Sequence, residues 1–484
     1  MDRVLSGLKP EKVFTYFEDI SRIPHGSYNT KGISDYCAAF ARERGLWFQQ
    51  DELNNVIIKK PASRGYEAAP GVILQGHLDM VAEKEAGSDH DFTKDPLRLK
   101  VEDGYVTAEG TTLGGDDGIA VAMMLAILDE PDAQHPELTC IFTTEEEVGM
   151  EGAAGIDLSA VDARLMINLD SEAEGVFTVG CAGGMRTDLC LPVNRYKVRG
   201  AVLHFVVEGL IGGHSGTEIN KGRANACRLL TFLLYGLEEK YSFAVISLNG
   251  GSKDNAIPVR AEARIAVEPG EVSEILEMAE NYRNEWKSLY GAADPNASLQ
   301  VTVEGVQTVE ALIAPDQEKV SFLLLEAPCG VQAMSTDIPG LVETSLNLGV
   351  LRLTEDALHV RYSLRSSKSV ARRQLRRRLE FLVSYLGGTY EHTGVYPAWE
   401  YKRDSVLRDL CTRIYREKTG QEPVVEVIHA GLECGLLSEK LPGLDCVSIG
   451  PELIDIHTPR ERMGIASVGR LYDFVLEVLR EIKA

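Results

Sequence analysis

The stretch "VILQGHLDM", residues 72–80, decides the fold. It reads as a buried apolar strand that runs into His77 and, two residues later, Asp79. Either residue alone could cap a turn, so the pattern gains meaning only if other segments end the same way. Four do. In "EGTTLGGDDGIAVAMMLAILDE", residues 109–130, a glycine-rich turn carries Asp116 and Asp117 into an apolar helix, where acidic residues are also ordinary N-terminal caps. The β-branched run from Leu138 ends in Glu145, Glu146 and Glu147. "RLMINLDSEAEG", residues 164–175, ends its strand at Asp170, and the strand through Val447 and Ile449 leads to a loop holding His457.

In an open α/β sheet, residues at the carboxyl ends of the strands meet in one crevice even when they are far apart in sequence. His77, Asp116, Glu147, Asp170 and His457 would meet there, with Asp79 and Glu146 beside them. So many carboxylates close together are costly unless cations balance them. Imidazole and carboxylate ligands suit zinc, and paired metals about 3.5–4 Å apart serve hydrolysis. Asp79 is then expected to hold the tautomer of His77 from behind the ligand shell.

Length and composition agree with an enzyme. The 484 residues exceed one ordinary domain, with 44% hydrophobic and 25% charged residues, as in soluble globular proteins. A net charge of −23, from 50 Lys+Arg against 73 Asp+Glu, argues against nucleic acid or an anionic membrane as partner. The basic run "ARRQLRRRLEFLV", residues 371–383, spaces its leucines as an amphipathic helix with a solvated cationic face. The first residues lack the apolar core of a signal peptide, and "IAVAMMLAIL" is shorter than the roughly 18 residues of a membrane span, so a cytoplasmic protein is expected. Nine cysteines without a CxxC pair read as reduced thiols.

The motifs "GHLDMV", "TTLGGDDG", "TEEEVGM", "INLDSE" and "GLIGGHSG", in this order, resemble those of the M20 metallopeptidases. "NGGSKDNAIP", "YSLRSS", "HAGLECGLL" and the histidine of "DIHTPRER" extend the resemblance to the aminoacyl-histidine dipeptidase branch, across essentially the whole chain. The resemblance implies that Asp116 bridges two divalent cations, with His77 and Asp170 completing one site and Glu147 and His457 the other. The cations would be Zn2+, with Co2+ or Mn2+ as alternatives. Glu146 would be the general base acting on a water between them, and Asp79 would orient His77. The run of three glutamates offers two registers for base and ligand; Glu146 and Glu147 are chosen because they stand directly before "VGM". Asp117 is read as a helix-start residue.

The implied fold is α/β. A catalytic domain with a mixed, mostly parallel sheet flanked by helices, residues 1–185 and 398–484, is interrupted by an α+β lid, residues 186–397. Segments 259–283 and 358–383 share a strand, turn, helix rhythm, which fits either internal duplication or simple coincidence. The resemblance places His214 as oxyanion donor and Asn255 and Arg365 as substrate contacts, an Arg fork suiting a terminal carboxylate. Glu433 reads either as a group near the substrate amine or as part of a buried turn. His25, His90, His135, His204, His359, His392 and His429 carry no ligand-like context. The expected activity is dipeptide hydrolysis, Xaa-His dipeptides above all, with a small peptide as partner and a homodimer left open. Other activities of the family, namely a tripeptide aminopeptidase, carboxypeptidase or amide deacylase, share the cage. A non-catalytic peptide- or metal-binding protein is the alternative of another class. A serine hydrolase is not expected, because "GGHSGTE" lacks the second glycine of a nucleophile elbow.

Overall fold

The structure, a computed structural model, describes residues 3–483. The chain divides into two compact units. One runs from the start of the described chain to Gly180 and adds Tyr401–Val427 and Leu432 onward; the other holds Cys181–Glu400 and Ile428–Gly431.

The first unit is built on an eight-stranded sheet. Its order is Trp47–Gln50, Val56–Lys60, Leu138–Thr143, Val72–His77, Leu165–Asn168, Asp445–Ser448, Val176–Cys181 and Val424–Ile428. The sheet is mixed: the four strands in the middle, from Leu138–Thr143 to Asp445–Ser448, pair in parallel. Antiparallel pairs flank them. Val72–His77 and Leu138–Thr143 are buried at every position, as strands covered on both faces must be, which is why they read as unbroken apolar runs. Register then aligns their ends: His77 lies opposite Thr143, Gln75 opposite Asn168 and Asn168 opposite Ser448. The chain leaves all four strands on the same side, so the residues that follow are neighbours.

Helix Gly115–Leu128 packs on strand Val72–His77 and is buried all round from Gly118 to Leu128, which explains its continuous hydrophobicity. Gly76 makes this close approach possible. A Cβ there would come within 2.4 Å of Asp117 Oδ2 and 2.8 Å of Ala120 Cβ. A smaller antiparallel sheet, Leu453–Ile454, Arg462–Gly464, Tyr105–Ala108 and Leu99–Glu102, anchors both ends of the loop that carries His457. Among the described residues no helix is long and apolar enough to cross a membrane.

The second unit is a nine-stranded sheet made of two four-strand halves of identical order, with one further strand, Gly330–Met334, on Val342–Leu353. In one half, strands Arg195–Glu208, Phe243–Gly250, Ala261–Val267 and Ser298–Leu312 alternate with helices Ala226–Glu238 and Val272–Tyr290 as β-α-β-β-α-β. The other half repeats this with Gly183–Pro192, Ala314–Glu326, Val342–Leu353, Ala357–Ser366, Ser369–Tyr385 and Thr389–Tyr396. The halves join where Asn249 and Gly250 pair with Arg352 and Leu351. In chain order the first half is nested inside the second, after its opening strand. The basic helix Ser369–Tyr385 buries Leu375, Leu379 and Val383 on one face, as its leucine spacing predicts.

Candidate metal centre

Five side chains from five segments converge at the strand ends of the first unit. His77 Nε2 lies 3.2 Å from Asp116 Oδ1 and 3.5 Å from Asp170 Oδ1. His457 Nε2 lies 3.0 Å from the other Asp116 oxygen, Oδ2, and 2.9 Å from Glu147 Oε1. Asp116 therefore faces one triad with each oxygen. Within each triad the candidate ligand atoms lie within 4.8 Å of one another. Ligands around a tetrahedral cation at about 2.0–2.2 Å sit roughly 3.3–3.6 Å apart, so the observed spacings are close to those of two cages that share a carboxylate.

Electrostatics show how strongly this cluster wants positive charge. On His457, hydrogen bonds to Asp116 and Glu147 outweigh burial and raise the imidazole to about 10. Burial opposes charge on His77, but Asp170, Asp116 and Asp79 prevail and its imidazole is raised well above its usual value. Burial pushes Asp170 up to about 6. Asp116, despite burial, is held far below the carboxylate range by the two histidines.

The three adjacent glutamates separate cleanly. Glu145 takes a left-handed backbone, φ 57°, and its carboxylate turns away to accept the Tyr28 amide and, at 2.9 Å, the Thr30 hydroxyl. Glu146 and Glu147 face the centre, and Glu146 shares a ligand-distance cluster with His77 and Glu147. Burial, reinforced by Asp170, Glu433 and Glu147, raises the Glu146 carboxyl well above its usual range.

Asp79 departs from its expected contact. His77 Nδ1 donates to the Asp79 backbone carbonyl at 2.9 Å, while the nearest Asp79 carboxylate oxygen is 3.5 Å away. The carboxylate instead accepts the amides of Glu146 at 3.0 Å and Glu147 at 3.3 Å and the Ser27 hydroxyl at 2.8 Å. It thus fixes the glutamate turn against the histidine strand. Asp117 is also more than a helix start: its Oδ2 accepts the His77 amide at 3.1 Å, and it and Asp116 carry non-helical backbone angles.

Two further residues support the cluster, and the first of them, Glu461, carries no readable signal in the sequence. Glu461, 2% exposed, accepts four successive amides: Leu113 at 2.7 Å, Gly114 at 3.1 Å, Gly115 at 2.8 Å and Asp116 at 3.2 Å. A carboxylate on the His457 loop thereby clamps the Asp116 loop. Glu433, at the start of helix Glu433–Lys440, lies under the strand ends and accepts from Gln75 at 2.7 Å and Thr143 at 2.6 Å, while Asn168 donates to Gln75 at 2.6 Å. Burial raises the Glu433 carboxyl to about 7. The remaining expected residues lie in the second unit. There the Ser215 amide donates to the Asn255 carbonyl at 2.8 Å, and His214 Nε2 is 3.4 Å from an Arg365 terminal nitrogen.

A strand-end cluster of two imidazoles and several carboxylates, on a sheet with a parallel centre, defines a candidate metallohydrolase. Residues 73–481 match Peptidase family M20/M25/M40, and the chain belongs to that family. It is similar to the cytosol non-specific dipeptidase of Escherichia coli (strain K12), at 37% identity over 99% of both chains. Its structure is similar to that of aminoacylhistidine dipeptidase from Vibrio alginolyticus, with a TM-score of 0.94, 35% identity and coverage of 99% of this chain and 98% of that one. A tripeptidase from Staphylococcus aureus shares the fold alone, with a TM-score of 0.55 at 16% identity over 98% of this chain and 99% of that one.

Proposed function

We propose that this protein is a metallo-dipeptidase that hydrolyses the peptide bond of dipeptides, Xaa-His dipeptides among them. The observation that carries the reading is Asp116, which offers one oxygen to His77 and the other to His457. In this reading His77, Asp116 and Asp170 hold one divalent cation, and Asp116, Glu147 and His457 the other. Zinc suits these ligands, with cobalt or manganese as alternatives. When bound, the cations supply Lewis-acid activation of water and of the peptide carbonyl.

The chain's own residues do the rest. Glu146 takes a proton from the attacking water on a carboxylate oxygen and returns it to the departing amine. Asp79 keeps Glu146 in place through its backbone amide. His214 donates to the developing oxyanion, Arg365 holds a carboxylate through its planar fork, and Asn255 contacts the substrate. The second unit is the substrate-holding lid. Among the described residues no two cysteines are joined by a disulfide, which supports a reducing compartment such as the cytoplasm.

The test is a dipeptide panel with Ala-His, β-Ala-His, other dipeptides and tripeptides, run with and without chelator alongside metal analysis. We expect dipeptide hydrolysis that chelation abolishes and added Zn2+, Co2+ or Mn2+ restores. Stoichiometric metal without hydrolysis of any peptide overturns the reading in favour of a binding protein.

A further inference from the structure

A second cluster, of hydrogen-bond donors, lies within the second unit. His429 and Arg365 are 6% and 8% exposed, and Ser215 is 2% exposed. Among the described residues, His429 Nδ1, Arg365 Nε and Ser215 Oγ have no hydrogen-bond partner. Gly216 marks where the cluster converges: a Cβ there would meet the His429 carbonyl at 2.4 Å, His214 Cε1 at 3.0 Å and Arg365 Nε at 3.1 Å.

Proton bookkeeping fixes what these groups offer. His429 Nε2 lies 2.7 Å from the buried Ser345 hydroxyl, which makes no other side-chain bond among the described residues. If the imidazole donated, the buried hydroxyl proton would have no acceptor, so Ser345 donates. Burial, with Arg365 and His214 nearby, lowers His429 to about 4 and keeps it neutral. Its one proton therefore sits on Nδ1, the unpartnered atom. His214 follows the same logic: the Thr217 amide donates to its Nδ1 at 3.2 Å, which leaves the proton on Nε2, facing an Arg365 terminal nitrogen 3.4 Å away. The other terminal nitrogen of Arg365 is occupied, donating to the Tyr396 hydroxyl at 2.9 Å. What stays free is the side-on edge of the guanidinium, the edge that takes a carboxylate with two parallel bonds.

Donors on three segments thus lie around Gly216 and the paired strand positions Ser345 and Arg365, and these three side-chain atoms lack a hydrogen-bond partner. Each buried, unpartnered polar group is destabilising, and such a set is retained where an anion arrives from outside. We infer that His429, its tautomer set by Ser345, is a specificity-determining residue that holds the C-terminal carboxylate of the dipeptide together with the free edge of Arg365. The inference rests on the dipeptidase reading, which supplies a substrate with an obligate terminal carboxylate.

The experiment compares Ala-His with its C-terminal amide in wild type, H429A, H429N and S345A. Asn places a side-chain amide donor near the position of Nδ1, whereas Ala places none. H429A should raise KM for the free acid by about 10- to 100-fold, the range of a hydrogen bond to a charged group, while kcat and the KM for the amide change little. H429N should recover most of the loss, and S345A should show a smaller loss of the same kind. Calorimetric binding of Ala-His and its amide to cation-loaded E146Q, with and without H429A, reads the same split without turnover. A parallel loss on acid and amide, or an unchanged KM in H429A, overturns the role of His429. Wild type that binds and cleaves neither peptide overturns the dipeptidase reading itself, and the inference with it.

Discussion

The strand-end cluster of the first unit and the donor cluster of the second are opposites. Around Asp116 nearly every group is an acceptor, and two histidines are driven toward the charged form to balance them. Around Arg365 nearly every group is a donor, and two histidines are driven toward the neutral form by burial and by the guanidinium. The same side chain is therefore driven to opposite charge states by its surroundings, positive among carboxylates and neutral when buried beside an arginine.

The comparison is sharpened most by Glu146→Gln, which removes the base from the acceptor cluster without touching the proposed ligands. We expect kcat to fall about 10²–10⁴-fold with cation content unchanged by elemental analysis. Full activity in this variant would falsify the base assignment. Next in size is Glu461. Replacing the clamp by Ala should lower cation affinity or activity about 10- to 100-fold, as loss of a ligand's hydrogen-bonded support does, with Gln between Ala and wild type because its carbonyl still accepts. Titration of chelator-stripped protein with Co2+, followed by visible absorption, reads this directly; wild-type affinity in E461A breaks the link between the two loops.

The smallest effect is on stability. The His457 imidazole rises from an ordinary value of about 6.5 to about 10. A pKa raised on folding stabilises below the unfolded value and is lost as pH rises through the folded one. Chelator-stripped protein should therefore lose melting temperature between pH 6.5 and 10, and H457A should flatten that slope. An equal slope in both would assign the effect elsewhere.

The cluster was legible because His77, Glu147 and Asp170 each follow a buried apolar run and Asp116 opens one. Register does the rest: once Val72–His77 pairs with its neighbours, the residues after Thr143, Asn168 and Ser448 have one crevice to enter. The antiparallel flanks of the sheet were less legible, because Val56–Lys60 and Val176–Cys181 are short strands whose partners are set by tertiary contacts. The supporting groups were opaque for another reason. Glu461 looks like any loop glutamate until four amides are seen to point at it, and His429 looks idle until Ser345 claims one of its nitrogens. The Asp79 contact shows the same limit, since the sequence names the residue but not whether its backbone or its carboxylate meets His77.

The clamp by Glu461 also bears on how the protein comes into being. The loop that presents Asp116 is made long before the carboxylate that gathers its amides, which follows 345 residues later. A nascent chain carries many of its acidic groups before it can arrange them, so assembly of the strand-end cluster waits for Glu461, and fragments ending before residue 461 should leave the ribosome without it.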